Sequence, residues 1–219
     1  MNAQPLMHNE EPRSSRIEKQ RGNLVQYNSG EWESIFIRIG SNRRELERFP
    51  CHLSVFESND LIQANLTYKQ SGKIARSAFR DIPESMQIEP GGHWSLGPQY
   101  LTQEFWTTEF CLCRPQERRR AVIRQSRSWL GSIVVIIEWR EESTEPPITL
   151  ASPHPLGLQE SSQSHGLKLE VLSNGAPLGL SVAISNTPEQ QATTWSWGPQ
   201  SITRRYDAAN QLVPSYPED

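Results

Sequence analysis

The sequence predicts an all-β protein, built as an antiparallel barrel of about eight strands with additional strands at the C-terminal end. Three observations support this fold class. Between residues 30 and 142, short apolar segments recur regularly and are separated by turn residues. Helical periodicity is confined to residues 14–27, where Gly22 interrupts it. The 219 residues are only 35% hydrophobic but include 7 Trp, which favours a wide interior lined by aromatic side chains.

The strands are identified by alternation, because successive side chains of a strand point to opposite faces of the sheet. In the first strand, Ile35, Ile37 and Ile39 share one face, opposite Trp32 and Phe36. A sandwich would leave open edges that a closed barrel removes, so we favour the barrel. The predicted barrel strands are 31–39, 50–57, 61–70, 86–89, 93–96, 105–113, 119–125 and 131–140; residues 73–84 fit either a short helix or a strand.

Composition divides the chain into four parts. We predict an N-terminal extension, partly helical or disordered, at 1–27, the barrel at 28–142, a Ser- and Pro-rich linker at 143–165, and additional strands at 166–213. The last part contains WSWGPQ at 195–200, which matches WSLGPQ at 94–99 in five of six positions. This match fits either the remnant of a second barrel or two unrelated strands that Gly-Pro ends in the same way.

Charge and hydropathy exclude two classes of partner. The formal net charge of -3 produces no basic field, so we expect no binding to nucleic acid. The longest aliphatic run covers only residues 133–137, whereas a membrane span needs about 20 apolar residues. The N-terminal residues contain no apolar segment typical of a secretory signal, so we predict a cytoplasmic protein.

The cysteines indicate neither a disulfide framework nor a metal site. An odd number of thiols, Cys51, Cys111 and Cys113, is typical of buried free cysteines in a reducing compartment. A zinc site would need further Cys or His residues at ligand spacing, and none is near in the sequence. The chain also lacks a glycine-rich phosphate loop. We therefore predict no metal and no cofactor.

The strongest candidate for ligand binding is a basic strand. Arg118, Arg120 and Arg124 alternate with Ala121 and Ile123, so the two sets face opposite sides. The arginine face is either exposed to solvent or lines the barrel. In the second case Arg120 and Arg124 would hold a ligand carboxylate through paired hydrogen bonds.

Acidic and aromatic residues on neighbouring strands complete the candidate site. Glu109 and Glu138 would serve as polar anchors, or as acids, if they face an arginine inside the barrel. No catalytic residue is assigned, since His52 and His93 lie on different strands and lack the acidic partner of a triad. The predicted ligand-binding residues are Trp94, Phe105, Trp106, Glu109, Arg120 and Arg124.

The predicted floor of the barrel carries a known pattern. Gly30-Glu31-Trp32 lies at the start of the first strand, and Arg140 ends the last one. This combination resembles the Gly-x-Trp and Arg signature of lipocalins and the wider calycin group. There the Trp packs across the barrel floor and the Arg lies over its ring, a cation–π contact.

The longer stretch from residue 82 to 140 looks like the uncharacterised lipocalin-like domain family that is typical of cyanobacteria. The resemblance covers about residues 28–142, with a fainter match at 203–207. Many relatives have a second complete barrel, for which the remaining 75 or so residues are few. The matching residues are Gly91 to Gly97, Phe105 to Leu112 around Glu109, Arg118 to Val122, and Ile136 to Arg140.

The resemblance implies a binding fold more than an activity, since the family has none established. Its nearest functional analogy is to lipocalin-like lyases that hold linear tetrapyrroles. We therefore predict a protein that holds a largely apolar, carboxylate-bearing small molecule in the barrel, a tetrapyrrole-like one being a candidate. The alternatives are a lyase or isomerase acting in the same cavity, and a structural or assembly protein whose barrel is filled and which engages a protein partner.

Overall fold

The computed structural model describes residues 13–127, 129–142, 154–163 and 166–215. These ranges contain one helix and fifteen strands. The elements are α1 (Arg13–Asn28), β1 (Gly30–Ile39), β2 (Glu45–Ser58), β3 (Leu61–Tyr68), β4 (Ile74–Phe79), β5 (Met86–Ile88), β6 (Trp94–Leu96), β7 (Trp106–Cys113), β8 (Glu117–Gln125), β9 (Leu130–Arg140), β10 (Leu156–Gln163), β11 (Gly166–Ser173), β12 (Ala176–Asn186), β13 (Gln190–Trp197), β14 (Gln200–Asp207) and β15 (Leu212–Val213).

Tight turns set the register of the hairpins. Asn59 and Asp60 join β2 to β3 with φ angles of 52° and 61°, which Asn and Asp tolerate better than most residues. Gly91 and Gly92 lie in the turn between β5 and β6 with φ angles of 82° and 75°. Left-handed turn residues match the twist of the strands they connect. Both turns lie in the gaps, 58–60 and 90–92, that the sequence leaves between predicted strands.

The strands β1 to β9 form one antiparallel sheet, sheet 1, in the order β4-β3-β2-β1-β9-β8-β7-β6-β5. Sheet 1 is strongly curled into a half-barrel. Its two edges meet in one apolar cluster, in which Ile62 and Phe79 of β3 and β4 join Met86 and Ile88 of β5. Leu24 of α1 belongs to the same cluster, so the helix bridges the gap between the two edge strands. The face that carries this cluster is the concave face of the sheet.

The strands β10 to β15 form a second antiparallel sheet, sheet 2, that covers the convex face of sheet 1. Ile37, Phe110 and Ile123 of sheet 1 are buried in one core with Val182 and Trp195 of sheet 2. This large apolar core removes both inner faces from water, which is the main favourable contribution to folding. Sheet 2 therefore covers the convex face over β1 and β7 to β9, whereas the concave face of sheet 1 has no covering sheet.

Polar contacts tie the two sheets together at the edge of that core. Arg204 of β14 is fully buried and donates hydrogen bonds to the carbonyl oxygens of Gly97 and Pro98, at 3.0 and 2.9 Å. Its Nε donates to the Tyr206 hydroxyl at 2.8 Å. Burial lowers the pKa of Arg204, although the neighbouring Tyr206 acts in the opposite direction. These bonds compensate the buried guanidinium group with oxygen acceptors.

The predicted all-β class, with a curled antiparallel sheet and additional C-terminal strands, is confirmed. The sheet is a half-barrel rather than a closed one, because β4 and β5 are its ends and are not paired. The four-part domain division stays a prediction. Strand β10 occupies part of the expected linker. Other parts of the predicted extension, linker and C-terminal end lie outside the described ranges, namely residues 1–12, 143–153, 164–165 and 216–219. No helix in the described part of the chain is long and apolar enough to cross a membrane.

Candidate functional site

Strand β8 directs three of its four arginines, Arg118, Arg120 and Arg124, to the concave face. Ala121 and Ile123 belong to the core between the two sheets, so Arg118 and Arg120 point to the opposite side. Phe36 of β1 faces the same way. Of the two orientations considered for residues 118–125, the strand therefore has its arginine face turned inward, with both arginines largely shielded from solvent.

The floor of the half-barrel is built around Trp32, whose side chain is fully buried. The guanidinium carbons of Arg118 and Arg140 each lie 3.9 Å from the centre of its ring. The indole Nε1 donates a hydrogen bond to the Asn28 carbonyl oxygen at 3.0 Å. Gly30 has a φ of 124°, and a Cβ there would lie 1.9 Å from Arg140 Nη1. The contact between Trp32 and Arg140 is the one that the Gly-x-Trp pattern implies; the contact with Arg118 is additional.

Four charged side chains form a network above this floor. Glu138 is fully buried and accepts hydrogen bonds from Arg118 Nε and Arg120 Nη1, both at 3.0 Å. Arg120 also donates Nε and Nη2 hydrogen bonds to Glu109, the former at 3.0 Å. Burial alone would lower the pKa of Arg120, but the two adjacent carboxylates outweigh it and raise the pKa. The network is electrically balanced, and every donor group of Arg120 is already engaged.

Asn28, at the end of α1, connects the helix to the network. Its Nδ2 donates hydrogen bonds to the carbonyl oxygens of Leu24 and Gly92, at 3.1 and 3.0 Å. Its Oδ1 accepts hydrogen bonds from Trp94 Nε1 at 3.1 Å and Arg118 Nη1 at 3.2 Å. Every hydrogen-bonding group of the amide is thus occupied. These bonds hold the end of the helix against the concave face.

Two free thiols lie beside this amide, on the same face of β7. The sulfur atoms of Cys111 and Cys113 are 3.6 Å apart, and both residues are buried. Burial raises the pKa of Cys111 well above its usual value. The hydrogen bond from Cys111 lowers the pKa of Cys113 to about 6, and His93 and Arg118 act in the same direction. The prediction of free, buried cysteines is confirmed for all three.

An aromatic row crosses the concave face next to the charged network. Phe36, Phe49 and Tyr68, from β1, β2 and β3, stack with ring centres 5.5 and 5.8 Å apart. Val122 and Val134 extend the apolar surface across β8 and β9. Apart from Phe36 these side chains are only partly buried. The row is therefore an apolar surface without a complete cover.

Arg124 lies on the concave face at the end that is farthest from the Trp32 floor, together with the aromatic pair Phe105 and Trp129. Arg124 follows Val122 on the same face of β8 and is exposed. Its guanidinium group lies 5.9 Å from the ring of Phe105, which packs edge-on against Trp129 at 5.6 Å. Within the described residues, Arg124 has no acidic partner.

Trp106 belongs to the other face of sheet 1. It is buried between the sheets in a cluster with Leu101 and Tyr206. A ligand on the concave face would not contact it. The structure therefore brings Trp94, Glu109 and Arg120 together, places Phe105 and Arg124 at the rim of the same face, and separates Trp106 from the other five predicted residues.

Two further features lie away from this face. A groove of about 540 Å³ runs between α1, β5 and β15, lined by Gln20, Met86 and Tyr100 among others. On the outer surface of β1 and β2, one ligand atom each from Glu33, His52 and Glu141 lies within 4.8 Å of the others. Lys69 Nζ already neutralises Glu33 at 2.5 Å, so this group has the contacts of a surface ion-pair cluster.

Sequence reasoning missed three groups of the concave face. Phe49 and Tyr68 emerge only from strand pairing, which places them beside Phe36. Asn28 is the first residue of the predicted barrel segment, ahead of the first predicted strand, where no pattern marks it. Arg118 was noted only as one member of the basic strand. The alternation of Cys51 and Leu53 with their neighbours is the signal that could have placed Phe49 on the inner face.

No family model matches the sequence, and no curated protein is similar to it. Among solved structures, the chain is similar to a protein of unknown function from the DUF3598 family of Nostoc punctiforme. The two share 15% identity with a TM-score of 0.60, over 89% of this chain and 95% of that one. A kievitone hydratase from Nectria haematococca, at 8% identity, 87% and 88% coverage and a TM-score of 0.20, carries no argument. This chain thus shares its fold with an uncharacterised cyanobacterial domain; the lipocalin-like assignment stays a prediction.

Proposed function

We propose that the protein binds an amphiphilic small molecule on the concave face of sheet 1, with an apolar body on the aromatic row and a carboxylate at Arg124. One observation carries the proposal. Sheet 2 packs on the convex face over β1 and β7 to β9, whereas the aromatic row of the concave face has no covering sheet, and Phe49 and Tyr68 remain partly exposed. An uncovered apolar surface in a concave setting is typical of ligand-binding sites.

The apolar row supports weak binding by itself. A flat or linear ligand that covers about 150 Å² of this surface would gain roughly 4 kcal/mol, at about 25 cal/mol per Å². That free energy corresponds to a dissociation constant of about 1 mM. A charge-assisted hydrogen bond adds about 1.5–3 kcal/mol. Together these contributions favour a dissociation constant of about tens of micromolar for a carboxylated ligand.

Of the two arginines predicted to hold the acid, Arg124 is the better candidate. Arg120 donates all its hydrogen bonds to Glu109 and Glu138, so a ligand carboxylate would have to displace one of them. Arg124 is exposed and next to the apolar surface, so it is available for an anion. An aromatic neighbour, Phe105, restricts its side chain to the rim.

The alternative functions receive less support. A lyase or isomerase that uses Glu109 or Glu138 would need one of these carboxyl groups to reach a substrate, but both are held by hydrogen bonds from guanidinium groups, and Glu138 is fully buried. A structural protein with a filled barrel would leave no partly exposed apolar row. Linear tetrapyrroles remain within the proposed ligand class, because they are flat, largely apolar and carry carboxylates.

The test compares acids with the corresponding alcohols. Retinoic acid and retinol, or a fatty acid and its alcohol, are titrated into the protein while Trp fluorescence is followed, with a bilin as a further ligand. We expect Arg124→Gln to weaken binding of the acids at least about tenfold and to leave the alcohols unaffected, since only the acid uses the charge. Phe49→Ala should weaken both.

The matched control is Arg205→Gln, which removes an exposed arginine from the outer face of sheet 2 and should change neither titration. The proposal is wrong if no acid or bilin binds the intact protein. It is also wrong if Arg124→Gln and Arg205→Gln affect the acids equally, because the contribution would then come from net charge.

A further inference from the structure

We propose that the outer edge of β4 pairs with the same strand of a second copy of this chain, so that two half-barrels join into one continuous sheet. The inference concerns the end of sheet 1 and is independent of the ligand proposed for the aromatic row. β4 is the first strand in the order of sheet 1 and is hydrogen-bonded only to β3. An edge of this kind presents a row of backbone groups to a further strand.

β4 is more open than the other edge strands. β5 and β15 contain only three and two residues, and β10 is bridged at Gly157 by Arg44. β4 has six residues in an unbroken register with β3. The apolar cluster between the two ends of sheet 1 contains Phe79, the last residue of the strand, whereas residues 74–78 are all exposed. Among the described edge strands, β4 is therefore the one that is open along most of its length.

The hydrogen bonds between β3 and β4 define which residues of β4 can bond outward. Tyr68 N donates to the Lys73 carbonyl oxygen at 2.9 Å, so Lys73 bonds toward β3. Residues along an antiparallel strand bond alternately to one side and the other. Ile74, Arg76 and Ala78 therefore direct their N–H and C=O groups away from the sheet. These groups have no hydrogen-bond partner within the described part of the chain.

Charge selects one register for a symmetric pair. Outward-bonding residues must face each other, so the two-fold axis passes through a residue of β4 rather than between two. An axis at Arg76 would place two guanidinium groups directly opposite each other, which is destabilising. An axis at Ser77 places Arg76 opposite Ala78 of the second copy instead. Lys73, which precedes the strand, then lies at the same end of the pair as the oppositely charged Asp81 of the second copy.

The pair around Ser77 is held mainly by backbone groups. Arg76 and Ala78 of each copy exchange two hydrogen bonds with Ala78 and Arg76 of the other, four in total. The small side chains of Ala75, Ser77 and Ala78 permit close approach of the strands. The two Arg76 side chains remain diagonal neighbours at about 7–8 Å, and a single strand pair is a small interface. We therefore expect a weak, reversible dimer.

The two concave faces would open to the same side of the joined sheet. Residues that lie opposite each other in an antiparallel pair point to the same face. Phe79 shares an apolar cluster of the concave face with Ile62, so Ala75 and Ser77 also belong to that face. Because the proposed register pairs concave-facing residues with each other, the aromatic rows of both copies would lie on one continuous surface.

Sedimentation equilibrium of the full-length, reduced protein tests the association. We expect the weight-average mass to rise from 25.0 kDa toward twice that value as the concentration is raised from about 5 µM to about 500 µM, the range of weak, small interfaces. Ala78→Pro removes an outward N–H group and leaves the bonds to β3 intact, so the monomer should stay folded and the dissociation constant should rise at least about tenfold.

The matched control is Ala208→Pro, an equal substitution at the first central position of the turn between β14 and β15. Asn210 N donates to the Asp207 carbonyl oxygen there, and this position of a turn favours proline. The control should leave the association unchanged. Circular dichroism checks that both variants are folded.

Disulfide cross-linking tests the register. Ser77→Cys places two thiols at a pair whose Cα atoms are about 4.5 Å apart, within the range that a disulfide spans, so mild oxidation should give a covalent dimer. Ala75→Cys is the matched control, because the two copies of this residue would be about 13 Å or more apart along the strands. The three natural cysteines are buried, so the wild-type chain should not cross-link.

Three results would overturn the proposal. The wild-type chain could stay monomeric at about 500 µM, which would leave the edge of β4 to a strand of another protein. Ala78→Pro and Ala208→Pro could weaken the association equally. Ala75→Cys could cross-link as fast as Ser77→Cys. None of these measurements uses the acids and alcohols, so this proposal and the proposed function fail separately.

Discussion

Replacing Glu138 with Gln removes the one carboxylate that both buried arginines share. Glu138 is fully buried and accepts hydrogen bonds from Arg118 and Arg120 at 3.0 Å each. In the variant Arg120 keeps its contact with Glu109, but Arg118 becomes a buried cation without an acidic partner. Breaking a buried ion pair in this way costs about 3–5 kcal/mol. Because Gln retains one oxygen acceptor, we expect a loss near the lower value, about 3 kcal/mol.

Urea unfolding followed by Trp fluorescence measures this loss. With an m-value of about 2–3 kcal/mol per molar urea, the midpoint should fall by about 1–1.5 M. The control is Glu47→Gln, whose partner Arg38 lies 2.8 Å away but where both side chains are about half exposed. Such surface pairs contribute about 0–1 kcal/mol, so the control should shift the midpoint by less than about 0.5 M.

A double variant tests whether the loss comes from the unpaired charge of Arg118. Arg118→Met with Glu138→Leu removes one charge of each sign and leaves Arg120 paired with Glu109. Apolar replacement of a whole buried pair is often neutral, so we expect the double variant to regain part of the lost stability, less the hydrogen bonds that Arg118 makes to Asn28. The reasoning is refuted if Glu138→Gln and Glu47→Gln lower the midpoint equally.

Two other predictions concern the floor and the outer surface. Gly30→Ala should lower Tm in a thermal scan by about 4–8 °C, because the positive φ of Gly30 is strained for other residues by about 2 kcal/mol or more; a Tm within 1 °C or so of the wild type would contradict this. Burial lowers the pKa of His52, but its hydrogen bonds to Glu31 and Glu33 outweigh burial and raise it. The contribution of His52 to stability should thus be complete below its unfolded pKa of about 6.5 and be lost as pH rises through the raised pKa. We therefore expect the difference in urea midpoint between the wild type and His52→Gln to decrease as the pH is raised from about 6 to 8. A constant difference across that range would exclude the effect.

The fold was predictable because its signals are local. Alternation within each segment depends on neighbours along the chain, and it placed Ile35, Ile37 and Ile39 on a common face that packs against sheet 2. Turn residues such as Asn59 and Gly92 similarly act on their own hairpins. Closure of the barrel depends instead on how the distant edges β4 and β5 meet, and α1 occupies part of that gap. No local sequence pattern predicts whether two distant edge strands pair or whether a helix lies between them.

The site was only partly predictable for the same reason. Alternation groups Arg120 with the other arginines of one face of β8, and the pairing of the neighbouring strands β7 and β8 brings Glu109 to the same face. The contacts of Asn28 with both thiols join α1 to β7, and the aromatic row depends on the register of three strands. Trp106 was wrongly predicted to contact the ligand. It follows Phe105 directly on a strand, and adjacent residues of a strand point to opposite faces, so Trp106 lies between the two sheets.

The two faces of sheet 1 differ in chemistry. Where sheet 2 covers it, the convex face belongs to a large apolar core that stabilises the fold. The concave face holds two arginines and two glutamates, of which Arg118 and Glu138 are fully buried, and it leaves Arg118 Nη2 without a partner among the described residues. Such networks contribute little net stability and are often replaceable by apolar side chains. Proteins depart from the most stable arrangement mainly at functional sites, so the charged floor and the uncovered aromatic row beside it support the binding that we propose for the concave face.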